Sequence, residues 1–220
     1  MIKLFATRVI ISLTASIICF GCSTTDYWAL HPIYENLGET PPQLRQILSD
    51  SYRKNEIYRD YNTKMIAAGL FRSKDYRQFL NNSLKSSYQL DEAASLEISL
   101  EHKQQFANQF DFLLMIYSGS NKKIDFGKKD SLWQAQLYDD DGDKVVPMEI
   151  QKIKNTDQER LLLGRYLKDL DRWIEVFKIS FPKLNKLTTG VKLGPKPFKL
   201  KITSLEGRLE FSWEDSKKFY

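Results

Sequence analysis

FKLKITSLEGRLEFSW, residues 198–213, is the stretch that decides the fold of this chain. Phe198, Leu200 and Ile202 alternate with Lys199, Lys201 and Thr203, and beyond Leu205-Glu206-Gly207 the residues Leu209, Phe211 and Trp213 alternate with Arg208, Glu210 and Ser212. Side chains of a strand point alternately to its two faces, so each run carries one apolar and one polar face. The glycine-containing break between them reads as the turn of a β-hairpin. An isolated hairpin is marginal in water, so this apolar face requires a partner.

Upstream the same period recurs. Phe110, Phe112, Leu114 and Ile116 share a face, as do Trp133, Ala135 and Leu137, then Val146, Met148 and Ile150, then Trp173, Phe177, Ile179 and Phe181. With the hairpin this makes six readable strands after residue 109. Half-buried strands joined by acidic and glycine-containing turns favour two sheets packed face to face over one open sheet. The expected fold class is α+β, an immunoglobulin-like antiparallel β-sandwich with a two-helix insertion after its first strands.

Before residue 109 the period is helical. Ser73 stands as an N-cap before the stripe Tyr76, Phe79, Leu80 and Leu84, and Asp91 caps a second segment with the stripe Ala93, Leu96, Leu100 and Ala107. Together they place the insertion at about 73–108. Leu44, Ile47 and Leu48 predict a short helical turn, and Ile57-Tyr58 reads as extended. The run from Met65 to Phe71 is too short for periodicity to separate a strand from a buried helix.

The amino terminus has a different character. Lys3 and Arg8 form a short positive region, Val9 to Phe20 is apolar apart from Ser12, Thr14 and Ser16, and small Gly21 precedes Cys22. A membrane-spanning helix needs ~20 apolar residues, which this stretch does not reach. It resembles the type II signal peptide of bacterial lipoproteins. That resemblance implies cleavage after Gly21, a diacylglyceryl thioether on Cys22, and a further fatty acyl chain such as palmitate on the new amine. Two or more chains give a firm membrane anchor. The expected layout is a signal peptide at 1–21, a lipidated Cys22 and tether at 22–42, one sandwich domain at 43–214 and a tail at 215–220. The tether mixes prolines with Tyr27, Trp28 and Tyr34, and His31 lies within it. Ser23 permits outer-membrane sorting if the host is Gram-negative.

The body also resembles bacterial envelope lipoproteins of uncharacterised function. The residues that carry this resemblance are Trp133 and Leu137 before an Asp-Gly turn, Pro147 and Ile150, Arg172-Trp173 leading to Phe181-Pro182, and Glu210 and Trp213 in the last hairpin. It spans roughly residues 50–214. It implies two short strands ahead of an inserted helical pair, which tips Met65–Phe71 toward strand, and it implies no activity.

Composition narrows the chemistry. The chain has 33 Lys and Arg against 28 Asp and Glu, and loss of Lys3 and Arg8 leaves a formal +3. Between Lys152 and Lys201 lie 13 bases and 5 acids, so this stretch is +8 and the rest of the mature chain −5. Within it Lys183, Lys186, Lys192 and Lys196 fall in a Gly- and Pro-containing loop, and are candidate contacts to anionic lipid headgroups near the anchoring membrane. Both cysteines lie at the signal, so the mature body contains neither a disulfide framework nor thiolate metal ligands.

The two histidines, His31 and His102, lie far apart, and neither accompanies a G-x-S-x-G motif. His102 reads as a helix residue, and Glu97 and Glu101 as a charged outer helix face. The acidic run Asp139-Asp140-Asp141-Gly142-Asp143 would put Leu137 and Met148 at the first and last ligand positions of a calcium loop, so it reads as a hairpin turn. No phosphate loop, dinucleotide fingerprint or nucleic-acid motif is present in the sequence. The expectation is a non-enzymatic envelope lipoprotein that binds or scaffolds an envelope protein or anionic lipid, without cofactor, metal or nucleic acid. The alternative is a carboxylate-dependent hydrolase of cell-wall or surface glycans, since two well-placed carboxylates suffice for that reaction.

Overall fold

The computed structural model describes residues 40–59, 62–118, 124–128, 130–167, 170, 174–183 and 197–214, the side chains of 58, 59 and 62–64 excepted. All of these fall within one unit, Asn36–Tyr220. The signal segment with Gly21 and Cys22, the tether, Trp173, Lys186, Lys192, Lys196 and the tail at 215–220 lie outside the described residues.

The chain runs α1 (Pro42–Ser51), β1 (Tyr52–Arg59), β2 (Asn62–Phe71), α2 (Lys74–Tyr88), α3 (Glu92–Asn108), β3 (Gln109–Ser118), β4 (Gln134–Asp139), β5 (Lys144–Val145), β6 (Glu149–Ile153), α4 (Gln158–Tyr166), β7 (Glu175–Pro182), β8 (Phe198–Ser204) and β9 (Gly207–Trp213). It is an α+β fold with two antiparallel sheets, ordered β1-β2-β3-β7-β6 and β5-β4-β8-β9. No helix among the described residues is long and apolar enough to cross a membrane.

The hairpin forms as its alternation requires, with Phe198 opposite Trp213 and Ser204 opposite Gly207. Gly207 has φ 154, and a Cβ there would lie 3.0 Å from Ile57 Cδ1, so the turn packs directly on β1. The inner faces of the two sheets share one core. Ring centroids of Phe112 and Trp213, and of Phe198 and Trp213, are 5.2 Å apart. Close approach of backbone to ring completes it: a Cβ on Gly69 of β2 would lie 3.3 Å from the Phe211 ring. Side chains of β1 also guard the edge of β9, as Arg53 Nε donates to Ser212 O at 3.0 Å and Asn55 Nδ2 to Glu210 O at 2.7 Å. Such capping removes free acceptors from a strand edge.

The outer face of the five-stranded sheet is covered as well. Ala68, Leu70, Leu113, Met115 and Val176 are buried there, and α1, α2 and α4 contribute Leu44, Leu48, Leu80, Leu84, Leu162 and Leu163. Alternation in β3 therefore understates its burial: a strand packed on both faces reads as a continuous apolar run, and Phe112 to Ile116 is one. Ser73 caps α2 by accepting from Tyr76 N, and Asp91 caps α3 by accepting from Ala94 N. The run from Met65 to Phe71 is strand, paired with β1 and β3.

Two expectations are corrected. Val146 and Met148 do not face a core: they are 64% and 61% exposed. Pro147 has no N–H and interrupts the ladder, which resumes where Met148 N donates to Ser180 O at 2.9 Å. Leu96 and Leu100 are likewise exposed, at 56% and 55%, because polar contacts orient α3; Arg77 Nη1 donates to its Gln105 Oε1 at 3.1 Å. In addition, α4 forms between two of the expected strands, in a stretch to which the sequence reading gave no element. Asp157 caps it by accepting from Glu159 N and Arg160 N.

Candidate anion-binding cleft between two inserted helices

Strand β2 ends at Phe71, and the next residue, Arg72, still donates its N–H to Asp111 O of β3 at 2.9 Å. The chain then turns into α2, which places two guanidinium groups, Arg72 and Arg77, above β3. Asp111 points from the outer face of β3 between them and is fully buried. Its Oδ2 accepts from Arg72 Nη1 at 3.2 Å and from Arg77 Nη2, with Lys178 Nζ 4.0 Å away. The first turn of α4 supplies Glu159, which accepts from Arg72 Nε and Nη2, each at 2.9 Å, and from Tyr76 OH at 3.0 Å. This two-pronged pairing of guanidinium and carboxylate is strong and directional.

Around these two carboxylates stand four cations: Arg72, Arg77, Lys178 and Lys183. Lys183 is half-buried. Its Nζ donates to Phe106 O and lies 3.8 Å from the centre of the Phe106 ring and 4.8 Å from that of Phe110. It is thus engaged with α3 and β3. Among the described residues the cluster holds four cations and two carboxylates. Burial alone would lower Arg72, but Glu159 and Asp111 outweigh it and raise its value. Burial, reinforced by Arg72, lowers the Arg77 and Lys178 values, and burial with Arg77 lowers that of Lys183. Burial alone would raise the Asp111 carboxyl, but Arg77 and Arg72 outweigh it and hold it below the ordinary range. Burial also pushes the Tyr76 hydroxyl well up, with Glu159 adding to the effect. His102 is lowered to about 4, first by burial and then by Arg72 and Arg77.

Over this cluster α2 and α3 enclose a cleft of about 380 Å³. Lys74, Arg77, Gln78, Asn81 and Asn82 come from α2 at the spacing i, i+3, i+4, i+7, i+8, which places them on one helix face. Ser99, His102, Lys103 and Phe106 come from α3 at i, i+3, i+4, i+7. None of the described lining residues is acidic. Three N–H donors of Arg77 are committed, to Arg72 O, Gln105 Oε1 and Asp111 Oδ2, which fixes its guanidinium in the cleft wall. A fixed guanidinium, two exposed ammonium groups and a ring of amides suit a negatively charged ligand.

Of the candidate residues from sequence, Lys183 joins the cluster around Asp111, and the others fall apart in space or outside the described region. Glu101 bonds to Gln105 Nε2 at 2.8 Å on the exposed part of α3. Asp139 is buried in the turn joining β4 to β5, where its Oδ1 accepts from Asp143 N at 2.9 Å. The cluster around Asp111 escaped the sequence reading, although a lone carboxylate inside the run FDFLLMI is a visible signal. A buried acid in an apolar strand requires a cationic partner. No protein-family model, curated protein or solved structure matches the chain.

Proposed function

We propose that this chain is a lipid-anchored bacterial envelope lipoprotein whose body is a non-enzymatic binding module, and that the cleft between α2 and α3 receives an anionic ligand. The anchor rests on Lys3, Arg8, the apolar Val9–Phe20 stretch and the Gly21-Cys22 junction. The body is of the immunoglobulin-like sandwich class. Its strand order supports that class: β2-β3-β7-β6 corresponds to A-B-E-D, and β5-β4-β8-β9 to C′-C-F-G, with β1 added beside A. In this frame the helical pair is an insertion between strands A and B.

The observation that carries the binding role is the cleft itself, lined by Lys74, Arg77 and Lys103 with no acid among its described lining residues. Two experiments test the proposal. Intact mass of the protein from membranes is expected to show a chain starting at Cys22 and carrying diacylglyceryl and acyl groups, both lost in Cys22→Ala. Titration of the full chain in detergent with citrate and inorganic phosphate, followed by amide chemical shifts, is expected to perturb α2 and α3 together, less at high salt and less in Lys103→Glu. An unmodified mass would overturn the anchor. Shifts scattered over the surface would overturn the site.

A further inference from the structure

The two sheets differ in what covers their outer faces. Helices pack on the five-stranded sheet, whereas among the described elements no helix packs on the four-stranded one. Alternation turns Leu137, Val145, Leu200 and Phe211 of that sheet inward, so the residues between them stand outward. Pairing sets these in rows: Lys144, Tyr138 and Lys199 form one, Gln136, Lys201 and Glu210 the next, and Gln134, Thr203 and Arg208 the third. Four cations thus share the face with one carboxylate. Glu210 bonds to Arg208 and lies 3.5 Å from Lys199 Nζ and 3.9 Å from Lys201 Nζ, which holds three of the four in place. Lys201 Nζ also lies 4.1 Å from the centre of the Tyr138 ring. Further acids stand at the two ends of the face, Glu206 in the β8–β9 turn and Asp140, Asp141 and Asp143 in the β4–β5 turn.

The apolar surface has its own pattern. Among the described residues the four most exposed large apolar side chains are Leu205, at 85%, Leu132, at 68%, Val146 and Met148. All four border this sheet. Gln134 pairs with Thr203, so Leu132, just ahead of β4, and Leu205, just after β8, stand at the same end of it. Val146 and Met148 line a groove with Gln134 and Gln136 along the edge of β4. Scattered exposed apolar residues are ordinary, but a group of them beside a basic face marks an interaction surface.

We propose that the outer face of the four-stranded sheet, with its apolar border, docks on a bilayer containing anionic lipids. Lys144, Lys199, Lys201 and Arg208 meet the headgroups, and Leu132, Val146, Met148 and Leu205 enter the boundary between headgroups and acyl chains. The cations are spread over three rows of a sheet and do not converge on a point, which suits a charged plane better than a small anion. The apolar border favours lipid over an acidic protein. Docking draws on the anchored reading for a bilayer within reach of the body, and adds the surface that meets it. The α2–α3 helices lie on the opposite side of the sandwich, so the cleft would face away from the membrane.

The test places the full chain in bicelles of phosphatidylcholine, with or without phosphatidylglycerol, and with a trace of lipid carrying gadolinium on its headgroup. Broadening of amide signals shows which residues lie nearest the lipid, whether or not the chain carries acyl groups. In the anionic bicelles the broadening is expected to be strongest at Leu132, at 146–148 and in the β8–β9 turn, weak in α2 and α3, and reduced by salt. Lys199→Gln is expected to lower the ratio of docked to undocked protein about fivefold, the contribution of one cation near an anionic surface. Leu205→Ser, at a position too exposed to affect folding, should lower it as well.

Broadening spread evenly over the surface, or strongest at α2 and α3, would overturn the inference. Equal docking with and without phosphatidylglycerol, or docking unchanged in Lys199→Gln and Leu205→Ser, would overturn it too. An unmodified intact mass would overturn the anchor alone, since the broadening map reports on the face independently.

Discussion

Replacing Asp111 by Asn is expected to cost about 3–5 kcal/mol, the range for removing one partner of a buried ion pair. The structure supports the upper part of that range. Asp111 is 0% exposed, and its Oδ2 serves Arg72 Nη1 at 3.2 Å and Arg77 Nη2 at once, with Lys178 4.0 Å away. Asparagine keeps the volume but removes the charge and places an NH₂ group among cations. Arg72 retains its two-pronged bond to Glu159, whereas the ion pair of Arg77 among the described residues is with Asp111. For a domain of this length each kcal/mol moves Tm by about 2–4 °C, so the midpoint should fall by about 6–20 °C. Urea unfolding followed by tryptophan fluorescence is a suitable assay, since Trp213 is fully buried.

The pH dependence gives an independent check. Arg77 and Arg72 depress the Asp111 carboxyl in the folded protein below its unfolded value, which is about 3.9. The folded state therefore gains stability from this group above that value, and the gain is lost as pH falls through the folded one. The gap between wild type and Asp111→Asn should be full at pH 7 and should narrow as the pH falls below about 4. A double-mutant cycle with Arg77→Met should show a coupling of at least about 1 kcal/mol, because the two residues share a hydrogen bond. A loss under about 1 kcal/mol at pH 7, or a gap that widens in acid, would refute this account of the cluster.

Trp213→Phe is expected to destabilise by about 2–4 kcal/mol, since it shrinks a fully packed ring and leaves Ser51 O without the indole donor now 2.9 Å away; urea unfolding checks it. Ser73→Ala should cost about 1 kcal/mol through loss of the cap on Tyr76 N, with hydrogen exchange rising first in the opening turn of α2. His102 should remain neutral in the folded protein down to about pH 4, held there by burial and by Arg72, Arg77 and Lys178 against the opposing pull of Glu101. Its unfolded value is near 6.5, so stability should decline as pH falls from about 6.5 to 4; imidazole NMR titration measures the first, and flattening of the stability profile in His102→Gln the second.

What the sequence disclosed and what it hid follow from the range of each interaction. Alternation and helix caps are local, and they were readable: the 198–213 hairpin, the strand face Phe110 to Ile116, and the caps Ser73 and Asp91 stand where the residues put them. The outer helical layer was not readable, because nothing within Leu113 or Met115 says which helix covers it. Apolar residues of α3 misled for a related reason. Leu96 and Leu100 form a plausible core stripe, yet the helix is oriented by Arg77 on Gln105 and by Lys183 on Phe106, and these are contacts between distant segments. The cleft shows the same division. Its two helix faces are periodic sets visible in sequence, but only the fold brings Lys74, Arg77 and Asn81 opposite Ser99, His102 and Lys103.

Arg77 joins stability to recognition in this molecule. Three of its donors face inward, to Arg72 O, Gln105 Oε1 and Asp111 Oδ2, so the guanidinium is fixed before any ligand arrives and little side-chain entropy remains to be lost on binding. The pairing of Arg72 with Glu159 has a complementary effect. By drawing one carboxylate toward Arg72 and Tyr76, it leaves Asp111 to be shared among Arg77, Arg72 and Lys178. These cations lie beneath the α2–α3 cleft, where Lys74 and Lys103 add to them. An anion seated there would face these cations, and its binding should raise the stability of the folded chain by linkage.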